Sequence, residues 1–445
     1  MKIYGIGGFN EVGKNMTAVD LGEDVILFDC GLFLPPIVES EEARDFYDEK
    51  KLRSLGAIPD DLILDKLDLR KKVRAIIPSH AHLDHIGAIP YLAHRYNADI
   101  IATPFTIEVL KSLIRDERII MKNRLKSVSP NSSCYIQGKN KRYLVDFINI
   151  THSTLQTSMI ALHTGEGIVL YANDFKFDNT PILGKKPNYE KLKKISEEGV
   201  KVLIVDSLYS SVERKTASEK VARTLLEDVL FTTNNKNNGL FITTFSSHIA
   251  RLKSITDFGK KLNRKMIFLG RSLNKYVSAA TRVNLCPFRN NIEIASYRNQ
   301  LEKCLRKIDK NREKYLVVCT GHQGEPGSIL DRLSKNKLPF RFKSQDHLIY
   351  SSSIIPSKVN IRNREKLDNR FKKSRVRLFN NIHVSGHAGR EDLRDFINLI
   401  NPEHIIPAHG SHEKISPMIS LAEELGYKNK KNVHLINNKQ KLEFK

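Results

Sequence analysis

His80-Ala81-His82-Leu83-Asp84-His85 places three imidazoles and one carboxylate in six residues, directly after the apolar run Val73 to Pro78. Imidazole nitrogen and carboxylate oxygen are ligands that borderline-soft Zn²⁺ accepts, and a catalytic zinc keeps a position free for water. On one strand-to-loop turn these side chains can fan toward two adjacent metals, His80 and His82 serving one, Asp84 and His85 the other. The spacing predicts a dinuclear zinc cradle, with manganese as the alternative metal, and hydrolytic chemistry.

A plain solvated loop rich in His would have no partners elsewhere in the chain. Here Asp29 closes VILFDCG, His152 sits in NITHST, Asp174 closes the run from Ile168, and His409 lies in IIPAHG. Each ends an apolar strand, where side chains can converge on a common edge. Alone, any of them reads as a turn or capping residue; together with HAHLDH they read as parts of one site. GFNEVGKN at Gly8 to Asn15 imitates a phosphate loop, but Asn15 replaces the Ser or Thr hydroxyl that would hold Mg²⁺, so no nucleotide site is expected there.

The elements that must position these residues follow from hydrophobic periodicity. Short apolar runs at Met1 to Ile6, Met16 to Asp20, Val25 to Phe28, Val73 to Pro78 and Asp99 to Ala102 predict strands. Ile86 to Tyr96 and Thr106 to Arg115 have helical spacing, giving an α/β layered domain. From about Asn188 longer helices alternate with single buried strands at Val202 to Val205, Leu240 to Phe245, Lys265 to Leu269, Tyr315 to Cys319 and His347 to Ser351, which predicts a mainly parallel sheet in a second domain. The basic stretch Asn360 to Arg377 reads as a solvated helix, with nucleic acid as a candidate partner. Metal-site vocabulary returns after Leu378, so the first domain is expected to be split: residues 1–187, the inserted 188–372, and 373–445.

At 445 residues the chain exceeds one ordinary core. A formal charge of +23 is too large for an enzyme of small neutral substrates and favours a polyanion, RNA or DNA ahead of a membrane surface, although a general lysine bias gives the same number. The five cysteines are scattered without a CxxC pair, which argues against disulfides and thiolate zinc. No apolar stretch approaches the roughly 20 residues that span a bilayer, and the N-terminus has no signal-peptide core. A soluble, cytoplasmic protein without membrane association is expected.

These motifs resemble the metallo-β-lactamase fold, an αββα sandwich, and specifically its β-CASP nuclease branch with an inserted α/β domain. The resemblance narrows to the ribonuclease J family, in particular its short archaeal type, through GIGGFNEVGKN, FSSH at Phe245 to His248, GRS at Gly270 to Ser272, TGHQGEPGS at Thr320 to Ser328, DHLIYSSSIIP at Asp346 to Pro356 and HVSGHA at His383 to Ala388. It implies that His80, His82 and His152 hold one zinc, that Asp84, His85 and His409 hold the other, and that Asp174 bridges them. Asp29 then supports the ligand loop through hydrogen bonds, Asp84 orients the hydroxide, and His387 held by Asp206 is the general acid. His383, Val384, Ser385, Gly386 and His387 would form the 5′-phosphate pocket, with Ser246, Ser247 and His248 opposite and Arg271 and Arg251 contacting phosphates. A His at position 409 is the family's mark of RNA-active members. Gln156, His322 and the turn Ile355-Pro356-Ser357-Lys358 depart from the family's usual residues without removing a ligand.

What the resemblance implies is a zinc-dependent 5′-to-3′ exoribonuclease with two zincs per subunit, preferring 5′-monophosphorylated single-stranded RNA, in RNA decay and maturation. A homodimer, other RNA-decay proteins as partners, and the lack of the extra C-terminal domain of bacterial members are further expectations. An endoribonuclease of the cleavage and polyadenylation factor type shares this chemistry. A small-molecule metallohydrolase has no use for the insertion and the charge, and a silent RNA-binding subunit has no use for intact ligands.

Overall fold

The computed structural model describes residues 1–40, 47–355 and 357–444, so Pro356 of the expected turn lies outside the described residues. The chain forms two compact units: Met1–Asn179 with Lys185–Thr216 and Gly386–Lys445, and Thr180–Gly184 with Ala217–Ser385.

The first unit is built on two sheets. One runs in the order Lys441–Glu443, Lys2–Gly7, Met16–Asp20, Val25–Phe28, Val73–Ile77, Asp99–Ala102, Leu125–Ser127; the other runs His404–Ala408, Val200–Asp206, Gly167–Ala172, Ser158–Thr164, Arg142–Asn149, Ser133–Gln137. Alternation along single strands explains the layering. Val169 and Tyr171 join Ile26, Phe28, Ala75 and Ile77 in the core between the sheets, where the Phe28 and Tyr171 rings stack with centroids 4.9 Å apart. Ile168, Leu170 and Ala172 face the other way, onto Leu192, Ile195, Leu393, Phe396 and Leu421 of the helices Tyr189–Glu198, Arg390–Ile400 and Pro417–Glu424. Helix Pro104–Asp116 packs on the first sheet, completing an αββα arrangement.

Two expectations are corrected. Val202 to Val205, assigned by pattern to the second domain, belongs to Val200–Asp206, which pairs in parallel with Gly167–Ala172 and His404–Ala408 in the first unit. A short buried apolar strand suits a parallel sheet in either place, and local pattern does not say which. The single helix expected over Ile86 to Tyr96 is three short pieces, Leu83–Ile86, Ile89–Leu92 and Ala93–Arg95. Pro90 lacks the amide that would continue the preceding turn, so it opens a new helix instead.

The second unit has one sheet in the order Ile292–Ala295, Lys265–Leu269, Tyr315–Cys319, Leu240–Thr243, His347–Tyr350, Arg377–Phe379, every pairing parallel. The basic stretch is helix Lys358–Lys373, anchored by buried Val359, Leu367 and Phe371. Its Arg364 is buried too, donating to the His322 carbonyl at 3.0 Å and to Asp368 at 2.9 Å, so this arginine holds the fold while its neighbours face water. Among the described residues no helix is long and apolar enough to cross a membrane.

Arg251 departs from expectation. It is fully buried and donates to both carboxylate oxygens of Glu219 (2.5 and 2.8 Å) and to the carbonyls of Ser351 (2.8 Å) and Ile382 (3.1 Å). A guanidinium with these partners cannot also meet a phosphate. Removing the guanidinium leaves buried Glu219 with His248 as its remaining partner, 3.3 Å away, and leaves the two carbonyls without a donor, so Arg251→Met is expected to destabilise the protein by about 3 kcal/mol in urea unfolding. A change under about 1 kcal/mol would show that His248 alone compensates Glu219.

Candidate metal centre

Parallel pairing brings the C-terminal ends of several strands to shared edges: Val25–Phe28 beside Val73–Ile77 in one sheet, and Gly167–Ala172, Val200–Asp206 and His404–Ala408 in the other. Asp29, Asp174 and His409 lie just beyond three of these ends, all in the left-handed backbone region (φ 56°, 55° and 64°). That conformation costs a non-glycine residue about 1–2 kcal/mol, and here it coincides with the turn that follows each strand. The 80–86 loop is laid onto neighbouring backbone: Asn15 N donates to Asp84 O (3.0 Å), Cys30 N to His85 O (2.7 Å) and Leu32 N to Leu83 O (2.8 Å). Gly31 permits this approach, since a Cβ there would stand 1.6 Å from Asp84 O.

The side chains of His80, His82, His152 and Asp174 form one cluster and those of Asp84, His85, Asp174 and His409 another, with Asp174 common to both. Hydrogen bonds behind the rings assign the tautomers. His85 Nδ1 donates to Asp29 Oδ2 (2.7 Å) and His152 Nδ1 to the Gly386 carbonyl (2.7 Å). His80 Nδ1 meets Ser79 Oγ (3.0 Å), whose own proton is directed at Asp29. The unprotonated Nε2 atoms of His80 and His152 therefore point inward, 3.0 and 3.1 Å from His82 Nδ1. Nitrogen lone pairs at such distances repel, and a single N–H on His82 could relieve only part of this. Donors about 2.0–2.1 Å from a tetrahedral zinc stand roughly 3.3 Å apart, close to these spacings. Asp174 Oδ2 lies 3.5, 3.3 and 3.6 Å from His80, His85 and His152, and its buried Oδ1 accepts no hydrogen bond. The donor set fits divalent metal.

Electrostatics agree with that chemistry. Burial holds His80 and His152 well below the usual imidazole range, with neighbouring imidazoles adding to the effect, and brings His82 down to about 4. Burial also opposes charge on Asp84 and Asp174, yet His85 keeps the first ionised and His409 and His85 the second. His85 is shifted the other way: burial opposes its charge, but Asp174, Asp84 and Asp29 outweigh that and hold it well above the usual imidazole range. Neutral His80, His82 and His152 and ionised carboxylates are the forms a metal takes up, and uptake at the second cluster releases the His85 proton.

Behind the donors runs a buried polar network that sequence reasoning passed over. Tyr171 Oη donates to Asp29 (2.7 Å) and accepts from Asn173 (3.0 Å). Asn15, whose sequence context speaks only against a phosphate loop, donates to Asp84 O (2.9 Å) and accepts from His409 Nδ1 (3.1 Å). The only signal was that these polar residues interrupt or flank apolar strands.

His387 joins the centre from the turn after Gly386. Its Nδ1 is 2.8 Å from Asp206 Oδ2, and its ring stacks on His409 (5.4 Å, 19°) and meets His152 edge-on (5.1 Å). Burial opposes its charge, but Asp206 and then Asp174 outweigh that and push its pKa up to about 9. Gly386 serves this site directly, because a Cβ there would stand 2.9 Å from the His152 ring. His383, Val384 and Ser385 belong to the second unit, as do Ser246, Ser247, His248 and Arg271. Within that unit Phe245 lies between His322 and His383 (4.4 and 6.2 Å between ring centroids), and Arg271 is exposed at the start of helix Arg271–Arg282. His248 is buried, its Nε2 3.3 Å from Glu219.

Residues 10–205 match the metallo-beta-lactamase superfamily, 237–366 the ribonuclease J beta-CASP domain, and 374–435 the Zn-dependent metallo-hydrolase RNA specificity domain. The chain is 41% identical to ribonuclease J of Methanocaldococcus jannaschii over 451 residues, covering all of this chain and 99% of that protein. It is also 41% identical to ribonuclease J of Pyrococcus abyssi, covering 98% and 96%. A crystal structure of an Enterococcus faecalis protein of unknown function shares the fold over 99% of both chains, with a TM-score of 0.66 at 16% identity.

Asp29 connects Ser79, His85 and Tyr171, so Asp29→Ala is expected to weaken metal affinity by about 10- to 100-fold in chelator competition with a zinc indicator. Unchanged affinity would mean that the ligand loop holds its shape without that carboxylate.

Proposed function

Starting from the premise that this chain belongs to the ribonuclease J family and is a metal-dependent ribonuclease, we propose that it degrades single-stranded RNA from a 5′-monophosphorylated end, one nucleotide at a time, with two zinc ions. In this reading His80, His82 and His152 hold one ion, Asp84, His85 and His409 the other, and Asp174 both. The observation that carries it is the convergence of inward-facing imidazole lone pairs and ionised carboxylates in a buried cluster at the strand ends.

Bound divalent metal supplies Lewis acidity, drawing water toward ionisation near neutral pH and offsetting charge on the attacked phosphate. The chain's own residues do the rest. Asp84, more open than Asp174, orients the attacking water or hydroxide by accepting a hydrogen bond from it. Asp206 fixes the His387 ring, which delivers a proton to the departing 3′-oxygen; an imidazole oriented by a carboxylate is suited to this role. Asn15 and Asp29 keep the ligand loop in register while charge redistributes. His383 and Ser385 receive the terminal phosphate. Ser385 directly precedes Gly386 in the chain, and the Gly386 carbonyl accepts from His152.

The test is a time course on RNA labelled at a 5′-monophosphate, triphosphate or hydroxyl end, with zinc or manganese, beside matched DNA. Immediate release of labelled mononucleotide from monophosphorylated RNA is expected, about tenfold or more ahead of the other ends. Longer labelled fragments that ignore the 5′ group would instead establish an endonuclease.

A further inference from the structure

The turn that carries His387 is gripped from behind by a stretch without regular secondary structure. Thr216 Oγ1 donates to the His387 carbonyl at 2.6 Å, and Thr216 N donates to Asp392 Oδ2 at 2.7 Å. The same Asp392 oxygen accepts from Gly389 N (3.1 Å), capping the helix that begins at Arg390. Arg390 N reaches back to Val212 O (2.9 Å), and Gly389 lies so close to Arg214 O that a Cβ would stand 2.2 Å away. Residues 212–216 and 386–392 are thus bonded as one piece, all within the first unit.

Packing alone does not hold Thr216. It is half-buried, and one side of it lines a cavity with Phe177, Tyr189, Asp392 and Phe396. The His387 ring, in contrast, has to satisfy Asp206 and two neighbouring imidazoles at once. Its side chain is aimed by a backbone that Thr216 anchors one bond away.

We propose that Thr216 is a positioning residue for the reaction: its hydroxyl, carried on a backbone whose N–H is held by Asp392, sets the backbone of His387 so that the imidazole meets both Asp206 and the reacting phosphate. The proposal rests on the reading that His387 supplies the proton. A displacement well under 1 Å is enough to slow a proton transfer while leaving RNA binding and metal uptake untouched.

Thr216→Val keeps the volume and removes the donor; Thr216→Ser keeps the donor. With saturating metal and a short 5′-monophosphorylated RNA, Thr216→Val is expected to lower kcat roughly tenfold with KM and metal content unchanged, and Thr216→Ser to stay within about twofold of wild type. In a His387→Ala background, measured at single turnover with long incubation, Thr216→Val should have no further effect. Loss that persists in that background, or equal loss in the serine variant, would overturn the proposal by showing a general structural role. A valine variant as fast as wild type while His387→Ala is slow would overturn the positioning role alone. A His387→Ala enzyme as fast as wild type would overturn the proton-donor reading, and the positioning role with it.

Discussion

Four imidazoles stand within 3.6 Å of one buried carboxylate, that of Asp174, and two of them aim lone pairs at a third ring. Burial keeps His80 and His152 neutral, while Asp174, Asp84 and Asp29 outweigh burial at His85 and hold it protonated, and burying charge with so little compensation is among the costliest arrangements a protein interior can contain. The surrounding structure exists to sustain that arrangement. Left-handed turns beyond three strands, a glycine where the ligand loop crosses residue 31, and the network of Asn15, Asn173, Tyr171 and Asp29 all hold donors that would otherwise move apart. Because a cation resolves the repulsion, metal binding and the stability of this edge of the sandwich are linked quantities.

The ligand loop, and the strand ends that complete the site, were visible in the sequence because contiguous ligands and apolar runs are local signals. HAHLDH needs no tertiary information, and Asp29, Asp174 and His409 each follow a run that can only be a buried strand. Asn15 and Tyr171 were not visible, because their meaning depends on which strands become neighbours. Arg251 illustrates the opposite error. An arginine beside a Ser-Ser-His motif in a basic chain reads as a phosphate contact, and nothing local reveals that Glu219 waits in the interior. Pro90 is a local signal that conflicts with its surroundings: apolar spacing favours a helix through a residue that cannot sustain one.

Gly386 shows how much one residue of a short turn can settle within the first unit. Its missing side chain admits the His152 ring, its carbonyl fixes that ring's tautomer, and the next residue brings an imidazole paired with Asp206. A glycine in such a motif would ordinarily be assigned to close approach of a ligand. Here the group that approaches is another part of the protein.

The donors straddle the inserted unit, with Asp174 before it and His409 after it. Ribosomes add about 5–20 residues per second, so translating from one to the other takes on the order of 10–50 s. Throughout that interval the emerging chain lacks one donor of the second cluster. The second cluster can close only after the inserted unit has been made, so the order of these residues along the polypeptide makes the centre one of the last parts of the first unit to assemble.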